Sequence, residues 1–340
     1  MATSRYEIDI QEQPRALRAF AATVLPRGLS DLNIERYDRI ILTGMGSSHF
    51  AAHRVWCSLV SEGHDAWWVS TAQLLEAQEL ITADSLLWVT SQSGESGEVV
   101  ALLDACEGAK RPRTLLATTN ELTSRLAVAA DLVVALESGE EGAVSTKTYV
   151  ATLAANDRIL GSLHHADDAP IVNEILVAAD ELERFDPRLG TVASAALQDQ
   201  QPRFVLVANS ASACSALFGA LMLNETAKLP AEAFLGGEFR HGPIELAGSG
   251  LTAVLFGSGT MNPSLTGLGE DLTSTGSRVV HVDPGPVSVG WLSISTNATG
   301  SLGRAICGAK FCQLLSVELA RGRGLEPGVF RFGSKVTTSL

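Results

Sequence analysis

At 340 residues, 46% of them hydrophobic, the chain is long enough for two ordinary domains with well-filled cores, which argues against a disordered protein. A formal net charge of −13 leaves no general basic face for nucleic acid or an anionic membrane, although a local basic pocket stays open. No run reaches the ~18 uninterrupted apolar residues of a membrane span, and the opening MATSRYEIDIQEQPRALRAF lacks the apolar core of a signal peptide, so a cytoplasmic protein is expected.

In chain order, the first half alternates short apolar runs with amphipathic ones. DRIILTG (38–44) reads as a strand, SHFAAHRVWCSLVSEG (48–63) as a helix, and AWWVS (66–70) and SLLWVTS (85–91) as strands. SGEVVALLDACEGA (96–109) fits a helix, RTLLATT (113–119) a strand, LTSRLAVAA (122–130) a short helix and DLVVAL (131–136) a strand. This alternation predicts a parallel sheet covered by helices on both faces.

Residues 145–199 carry no convincing strand and read as a helical connector, broken near Asp167 to Pro170 and again at FDPRLGT (185–191). A second alternation follows: RFVLVAN (203–209) as a strand, SACSALFGALMLNETAKL (212–229) as a helix, then GLTAVLFGSG (250–259) and SRVVHVD (277–283) as strands. DRIILTGMGSSHFAAHRVWCSLV and PRFVLVANSASACSALFGALMLN share one opening, a strand ending in a small-residue turn that starts a helix, so an internal duplication is expected.

Ligands of parallel sheets bind at the carboxyl ends of the strands, where TGMGSS (43–48) and SQSGES (91–96) fall. Free N–H groups at helix starts attract a phosphate. Ser47, Ser48, Ser91, Gln92, Ser93 and Ser96 add side-chain donors, and Gly44, Gly46 and Gly94 allow close backbone approach. Helix capping and turn formation account for either motif taken singly; their recurrence at equivalent strand ends favours the anion. No Gly-Lys-Ser/Thr follows, and GMGSSHF lacks the third glycine of a dinucleotide fingerprint, so a nicotinamide cofactor is disfavoured and no cofactor is expected.

Cys57, Cys106, Cys214, Cys307 and Cys312 are scattered without a CxxC pair and are expected to be buried, reduced thiols. His49, His53, His164 and His165 read as helix-face residues. No metal site is expected, because His164 and His165 are adjacent and point to different faces. Glu225 sits late on an otherwise apolar helix; partial burial would raise its pKa and make it a usable base, while pairing with Lys228 at i+3 is the plainer alternative. His241, at the reversal forced by Gly242 and Pro243, is either presented to a ligand or bonded to Glu238 or a nearby carbonyl.

TGMGSS, SQSGES, GAVSTKTY (142–149) and GGEFRHGPIEL (236–246), with EIDIQEQPRALR (7–18) and SKVT (334–337) at the two ends, resemble the sugar isomerase (SIS) family. The likeness is to the isomerase half of glucosamine-6-phosphate synthase and its stand-alone phosphosugar isomerase and deaminase relatives. It implies an α/β protein of two tandem doubly wound, flavodoxin-like parallel-sheet subdomains joined by a helical connector. The expected division is a helical lead-in over 1–35, a first subdomain with connector helix over 36–165, a helical linker over 166–200, a second subdomain over 201–322, and an active-site tail over 323–340.

The resemblance also implies roles. Glu225 takes the place of the proton-shuttling glutamate, and His241 that of a ring-opening histidine shared across a homodimer. Lys335, otherwise a solvated lysine near the chain end, takes the place of one that forms a Schiff base with the open ketose. Ser145, Thr146 and Lys147 would contact substrate, with capping open for the first two and a salt bridge for Lys147.

Two positions depart from the pattern. Met222 replaces a lysine, and Gly328 stands where relatives often carry an acid, in a tail longer than the synthase's before Lys335. The opening Met-Ala-Thr lacks the catalytic N-terminal cysteine of a glutamine-hydrolysing half, so ammonia from glutamine is not expected within this chain. The expected activity is aldose–ketose isomerisation of a ketose or amino-sugar 6-phosphate, extended to deamination or deglycation. A non-catalytic phosphosugar-binding sensor is the alternative.

Overall fold

The structure is a computed structural model that describes residues 2–107, 111–260, 262–283, 285, 292–298 and 300–338. In chain order the elements are α1 (Arg5–Ala21), β1 (Ile40–Gly44), α2 (Gly46–Ser61), β2 (Ala66–Trp68), α3 (Thr71–Glu76), β3 (Leu86–Thr90), α4 (Gly97–Ala105), β4 (Thr114–Thr119), α5 (Arg125–Ala129) and β5 (Leu132–Ala135). Then come α6 (Lys147–Leu163), α7 (Ala169–Arg184), α8 (Gly190–Leu197), β6 (Arg203–Ala208), α9 (Ala213–Met222), β7 (Ala231–Leu235), β8 (Leu251–Phe256), α10 (Pro263–Ser274), β9 (Arg278–Val282), β10 (Leu292–Ile294) and α11 (Ser301–Gly322). The expected end of the helix read over 96–109 lies partly outside the described residues.

The chain divides into two compact units. The first comprises Arg15–Glu141, Ser145–Leu176 and Phe332–Leu340; the second comprises Met1–Pro14, Gly142–Val144 and Val177–Arg331. The C-terminal tail is thus divided between them at residue 331.

The first unit holds a five-stranded sheet of order β2-β1-β3-β4-β5, every pairing parallel. β1, β3 and β4 are buried along their whole length, as central strands covered on both faces must be, while the edge strands β2 and β5 are partly exposed. On one face Ile41, Leu87, Val89, Leu115 and Ala117 pack with Val99 and Leu102 of α4 and Leu126 of α5. Burying a leucine such as Leu102 contributes about 1.5–3 kcal/mol, and Leu102→Ala, which adds a cavity, would cost about 2–5 kcal/mol.

The second unit repeats the arrangement, with order β10-β9-β8-β6-β7 and all pairings parallel. Numbered from β6, this is the strand order of the first sheet. Val205, Val207, Ala253 and Leu255 pack against Leu265, Leu268 and Leu272 of α10 and against Phe239. Among the described residues no helix is long and apolar enough to cross a membrane.

Several elements had no counterpart in the sequence reading. β7 and β10 are short edge strands with little burial and weak alternation. α3 carries a readable start, a capping box between Ser70 and Gln73, and α10 another, with Asn262 capping and Pro263 in the first turn. The helix expected over 212–229 is α-helical only to Met222. It continues as a π-turn, Leu223–Ala227, and stops at Lys228 in the left-handed region (φ 54°).

Candidate functional site

In the first sheet the chain leaves β1 and β3 in opposite directions, β1 towards β2 and β3 towards β4, so a crevice opens at their carboxyl ends. Gly44 and Thr90, the last residues of the two strands, are paired across it. A Cβ on Gly44 would stand 2.7 Å from the Thr90 carbonyl and 3.1 Å from the His49 nitrogen, so glycine is required for α2 to start this close to β3.

The residue before α2, Met45, supplies no side-chain cap, leaving the first-turn N–H groups of exposed Gly46 and half-buried Ser47 and Ser48 facing the crevice end of the sheet. The Ser47 hydroxyl donates to Ser145 Oγ at 3.1 Å, and Ser145 Oγ lies 3.3 Å from Thr148 Oγ1. A chain of hydroxyls therefore links the start of α2 to the start of α6.

In the second loop, Gly94 N donates to Ser91 Oγ (3.1 Å) and Glu95 N to Ser93 Oγ (3.2 Å). Each hydroxyl accepts a backbone bond and keeps its own proton to donate. Ser91 is 7% exposed and shapes the loop, whereas half-buried Ser93 and Gln92 line a cleft of about 470 Å³ together with Lys335, Glu140 and Glu141. Ser96 precedes α4 without a side-chain cap bond, and the first helical nitrogen, Gly97 N, is taken by the Thr337 carbonyl at 2.9 Å. The tail segment bearing Lys335 is thereby fixed beside the loop. Lys335 Nζ donates to the Glu141 carbonyl at 2.5 Å.

The cleft's acids are partly committed. The Glu141 carboxylate accepts from Thr146 N (3.1 Å), Thr146 Oγ1 (2.9 Å), Thr148 N (3.1 Å) and Thr148 Oγ1 (2.5 Å), and so serves as the anion at the start of α6. Glu95 Oε1 accepts from Arg125 N at 2.5 Å. Glu141 was not singled out in the sequence, because its partners arrive only when the loop folds back on the helix start.

Thr146 is wholly buried with its hydroxyl on Glu141 and makes no side-chain cap bond to α6. Lys147 is also buried, its ammonium bonded to the Glu140 carbonyl at 2.6 Å. Ser145 remains half-buried beside Ser47.

Glu225 and His241 belong to the second unit. Glu225 lies in the π-turn, a wider coil often found at functional sites. Burial pushes its carboxyl up to about 7, with Lys228 pulling the other way. The Lys228 ammonium bonds main-chain carbonyls, those of Glu225 and Val329, the latter at 2.9 Å. His241 is exposed at the end of a 3₁₀ turn, Gly236–Arg240, its backbone N–H on the Glu238 carbonyl at 3.0 Å. The Glu238 carboxylate accepts from Leu235 N instead. Among the described residues the His241 imidazole has no hydrogen-bond partner.

Both departures noted in the sequence have a physical cause at Tyr6. Met222 is fully buried with its sulfur 3.4 Å from the Tyr6 hydroxyl, which also lies 3.3 Å from Ser316 Oγ; an ammonium there would be desolvated. Gly328 has φ +81°, and a Cβ on it would stand 2.4 Å from Tyr6 Cβ, so an acidic side chain is excluded. Burial raises the Tyr6 phenol, with Glu225 adding to the rise.

His49 and His53 face inwards from α2. The His49 ring stacks on Trp68 with centroids 4.2 Å apart, the His53 ring meets the same indole edge-on at 4.7 Å, and burial lowers both to about 4. The five cysteines are free thiols, four of them buried and Cys57 half-buried.

Two parallel sheets of this order, with serine-bearing loops at the switch point of the first, define a tandem α/β protein. Residues 33–160 match the family model described as SIS domain. It is 28% identical over 277 residues to the isomerizing glutamine–fructose-6-phosphate aminotransferase of Thermococcus kodakarensis, covering 75% of this chain and 43% of that protein. The chain spans about half the length of the curated relatives it matches. Tagatose-6-phosphate ketose/aldose isomerase from Escherichia coli superposes with a TM-score of 0.81 at 21% identity, covering 97% of this chain and 96% of that one. Glucosamine-6-phosphate deaminase from Thermotoga maritima does so with a TM-score of 0.76 at 19% identity, covering 98% and 99%. At these identities the two structures establish the shared fold.

Proposed function

We propose that the protein isomerises a phosphorylated ketose or amino sugar by moving a proton between C1 and C2, with deamination or deglycation as the same proton shift on a nitrogen-bearing substrate followed by addition of water to the imine and release of the amine. The observation that carries this reading is the pair of serine loops at the β1/β3 switch point, set on the uncapped start of α2 and beside the cleft lined by Ser93 and Lys335. Phosphate binding falls to the N–H groups of Gly46 to Ser48 and the side chains of Ser47, Ser48, Gln92, Ser93 and Ser96. Ser91 shapes the loop and Ser145 orients Ser47.

Glu225 is the proposed base. A carboxyl titrating near 7 is partly ionised at neutral pH, so it takes the C1 proton of the ketose and returns it to C2 while the carbonyl moves from C2 to C1. No oxidant is needed, because one C–H bond breaks and one forms. His241 assists ring opening from a neighbouring subunit of a cytoplasmic homodimer. Lys335 adds through Nζ to the ketose carbonyl with loss of water to open the sugar, and water then hydrolyses the imine, restoring the carbonyl and the free amine.

A non-catalytic phosphosugar-binding role is the second reading, favoured by one observation: buried Met222 removes a charge that the synthase pattern carries. A panel of hexose 6-phosphates and their amino derivatives in deuterated water separates the two. Exchange of the C2 proton on any member supports the enzyme; saturable binding with no exchange on all of them supports the sensor.

A further inference from the structure

The ends of α2 and α6 bring together three side chains that the proposed reaction does not use. The two helices are packed along their length, and their register is pinned by a bidentate pair, Arg54 Nε to Asp157 Oδ1 at 3.0 Å and Arg54 Nη2 to Asp157 Oδ2 at 2.5 Å. About two helical turns beyond that pair, both helices end at the same level. Glu62 and His64 follow α2, and His164 caps α6.

The backbone holding these residues is fixed. Glu62 N bonds the Ser58 carbonyl (3.1 Å), Gly63 N the Val60 carbonyl (3.1 Å), His64 N the Leu59 carbonyl (3.0 Å) and His164 N the Leu160 carbonyl (3.1 Å). Ser58 Oγ donates to Glu62 Oε1 at 2.9 Å, which turns the other oxygen, Oε2, towards the imidazoles. That oxygen lies 3.1 Å from His164 Nε2 and 3.8 Å from His64 Nε2, and one ligand atom from each of the three residues falls within 4.8 Å of the others.

We propose that Glu62, His64 and His164 bind one borderline divalent transition-metal ion, with zinc as the type case and water in the fourth position. Tetrahedral zinc with ligand bonds of about 2.0–2.2 Å sets its donor atoms roughly 3.3 Å apart, so the observed spacings close onto an ion by side-chain torsion alone. Two imidazoles and a carboxylate are a donor set that suits zinc, nickel and cobalt over calcium or magnesium. Glu62 and His164 stand at the carboxyl-terminal ends of two helices, where the helix dipole favours a cation, and the Ser58 bond orients the ligating carboxylate. The side chains are 20–37% exposed, so an ion reaches them from solvent. The sequence excluded His164 with His165 as a chelating pair; the fold gives His164 different partners, from another helix.

The ion would staple the carboxyl-terminal ends of α2 and α6, about 24 Å along α2 from the serine loop, so the effect expected is on stability. This site is independent of the proposed reaction. The test is calorimetric titration of the full chain with zinc in a non-chelating buffer, with thermal melts alongside. One ion per chain is expected, with a rise in melting temperature that EDTA reverses. His64→Ala and His164→Ala should each weaken binding at least tenfold and remove the rise, while His165→Ala leaves both unchanged. Both variants lie at solvent-reached positions, and circular dichroism verifies their fold. Cobalt(II) should give the visible spectrum of a four-coordinate nitrogen–oxygen site in the parent and not in His164→Ala. No saturable binding, or binding that survives both histidine variants, overturns the proposal.

Discussion

The hydroxyls of Ser47 and Ser145, 98 residues apart in the chain, meet at 3.1 Å. Ser47 is in the first turn of α2 and Ser145 just precedes α6, so the contact ties the uncapped helix start at the switch point to the connector. Ser145→Ala should free Ser47 to rotate and weaken sugar-phosphate affinity less than Ser47→Ala does. Ser93→Ala should cost the larger amount, about 1.5–3 kcal/mol or roughly 10- to 100-fold, as expected for one hydrogen bond to a charged group. Calorimetry with a hexose 6-phosphate measures all three, and unchanged affinity in Ser47→Ala and Ser93→Ala together would remove the phosphate assignment.

Glu225 links activity to stability in opposite directions. Its folded pKa of about 7 lies above the ordinary 4.5, so the folded carboxyl keeps a proton that the unfolded one releases, and stability is lost as pH rises from about 4.5 through 7. Glu225→Gln removes that penalty. At pH 8 the variant should be more stable by about 1–2 kcal/mol, allowing for partial solvent screening, while C1–C2 proton transfer falls roughly 10²- to 10⁴-fold. Urea midpoints at pH 5 and pH 8 give the first quantity, and solvent exchange of the C2 proton gives the second.

The buried histidines act the other way. His49, His53 and His281 are each held at about 4 against an ordinary 6.5, so the unfolded chain binds their protons first. Stability should be full above about pH 6.5 and drain as pH falls towards 4, by up to about 3 kcal/mol for each group. A urea midpoint that stayed flat over this interval would mean the imidazoles are not buried in neutral form. Protonation of Glu225 over the same range offsets part of the loss.

Lys335 carries the riskiest role. Borohydride added with a ketose phosphate should leave a stable mass increase on the C-terminal peptide of the parent and none in Lys335→Arg, since arginine keeps the charge without forming an imine. Exchange of the C2 proton that required Glu225 but not Lys335 would leave an enediol isomerase with no Schiff base.

A histidine shared between subunits makes activity a property of the dimer. Mixing His241→Ala with Glu225→Gln protomers should recover part of the parent activity, because some mixed dimers hold one intact site. Activity per chain that stayed constant on dilution, while sedimentation reported monomers, would count against sharing.

The central strands were legible because burial on both faces demands uninterrupted apolar runs, and IILTG, LLWVT and TLLATT read that way without their neighbours. The serine loops were legible as turns because small and hydroxyl-bearing residues at the carboxyl end of such a run break it, and their recurrence after two strands set them apart from ordinary caps. Edge strands β7 and β10 were not, since one-sided burial leaves almost no pattern in a few residues. The end of α9 depended on the π-turn, and Lys228 occupies its left-handed terminus without any glycine to announce it.

Residue types and their local order determined by themselves that this chain folds as tandem parallel α/β layers with small, hydroxyl-rich turns at the strand ends, because hydrophobic period and turn chemistry act over short stretches. Contacts between residues far apart in sequence were decided only by tertiary structure. Glu141 is a loop acid until α6 folds against it, Gly328 is an unexplained departure until Tyr6 occupies the space a side chain would need, and His164 gains Glu62 and His64 only when Arg54 and Asp157 set the register of two helices. Such pairings depend on where packing places elements in space, and no spacing along the chain encodes that distance.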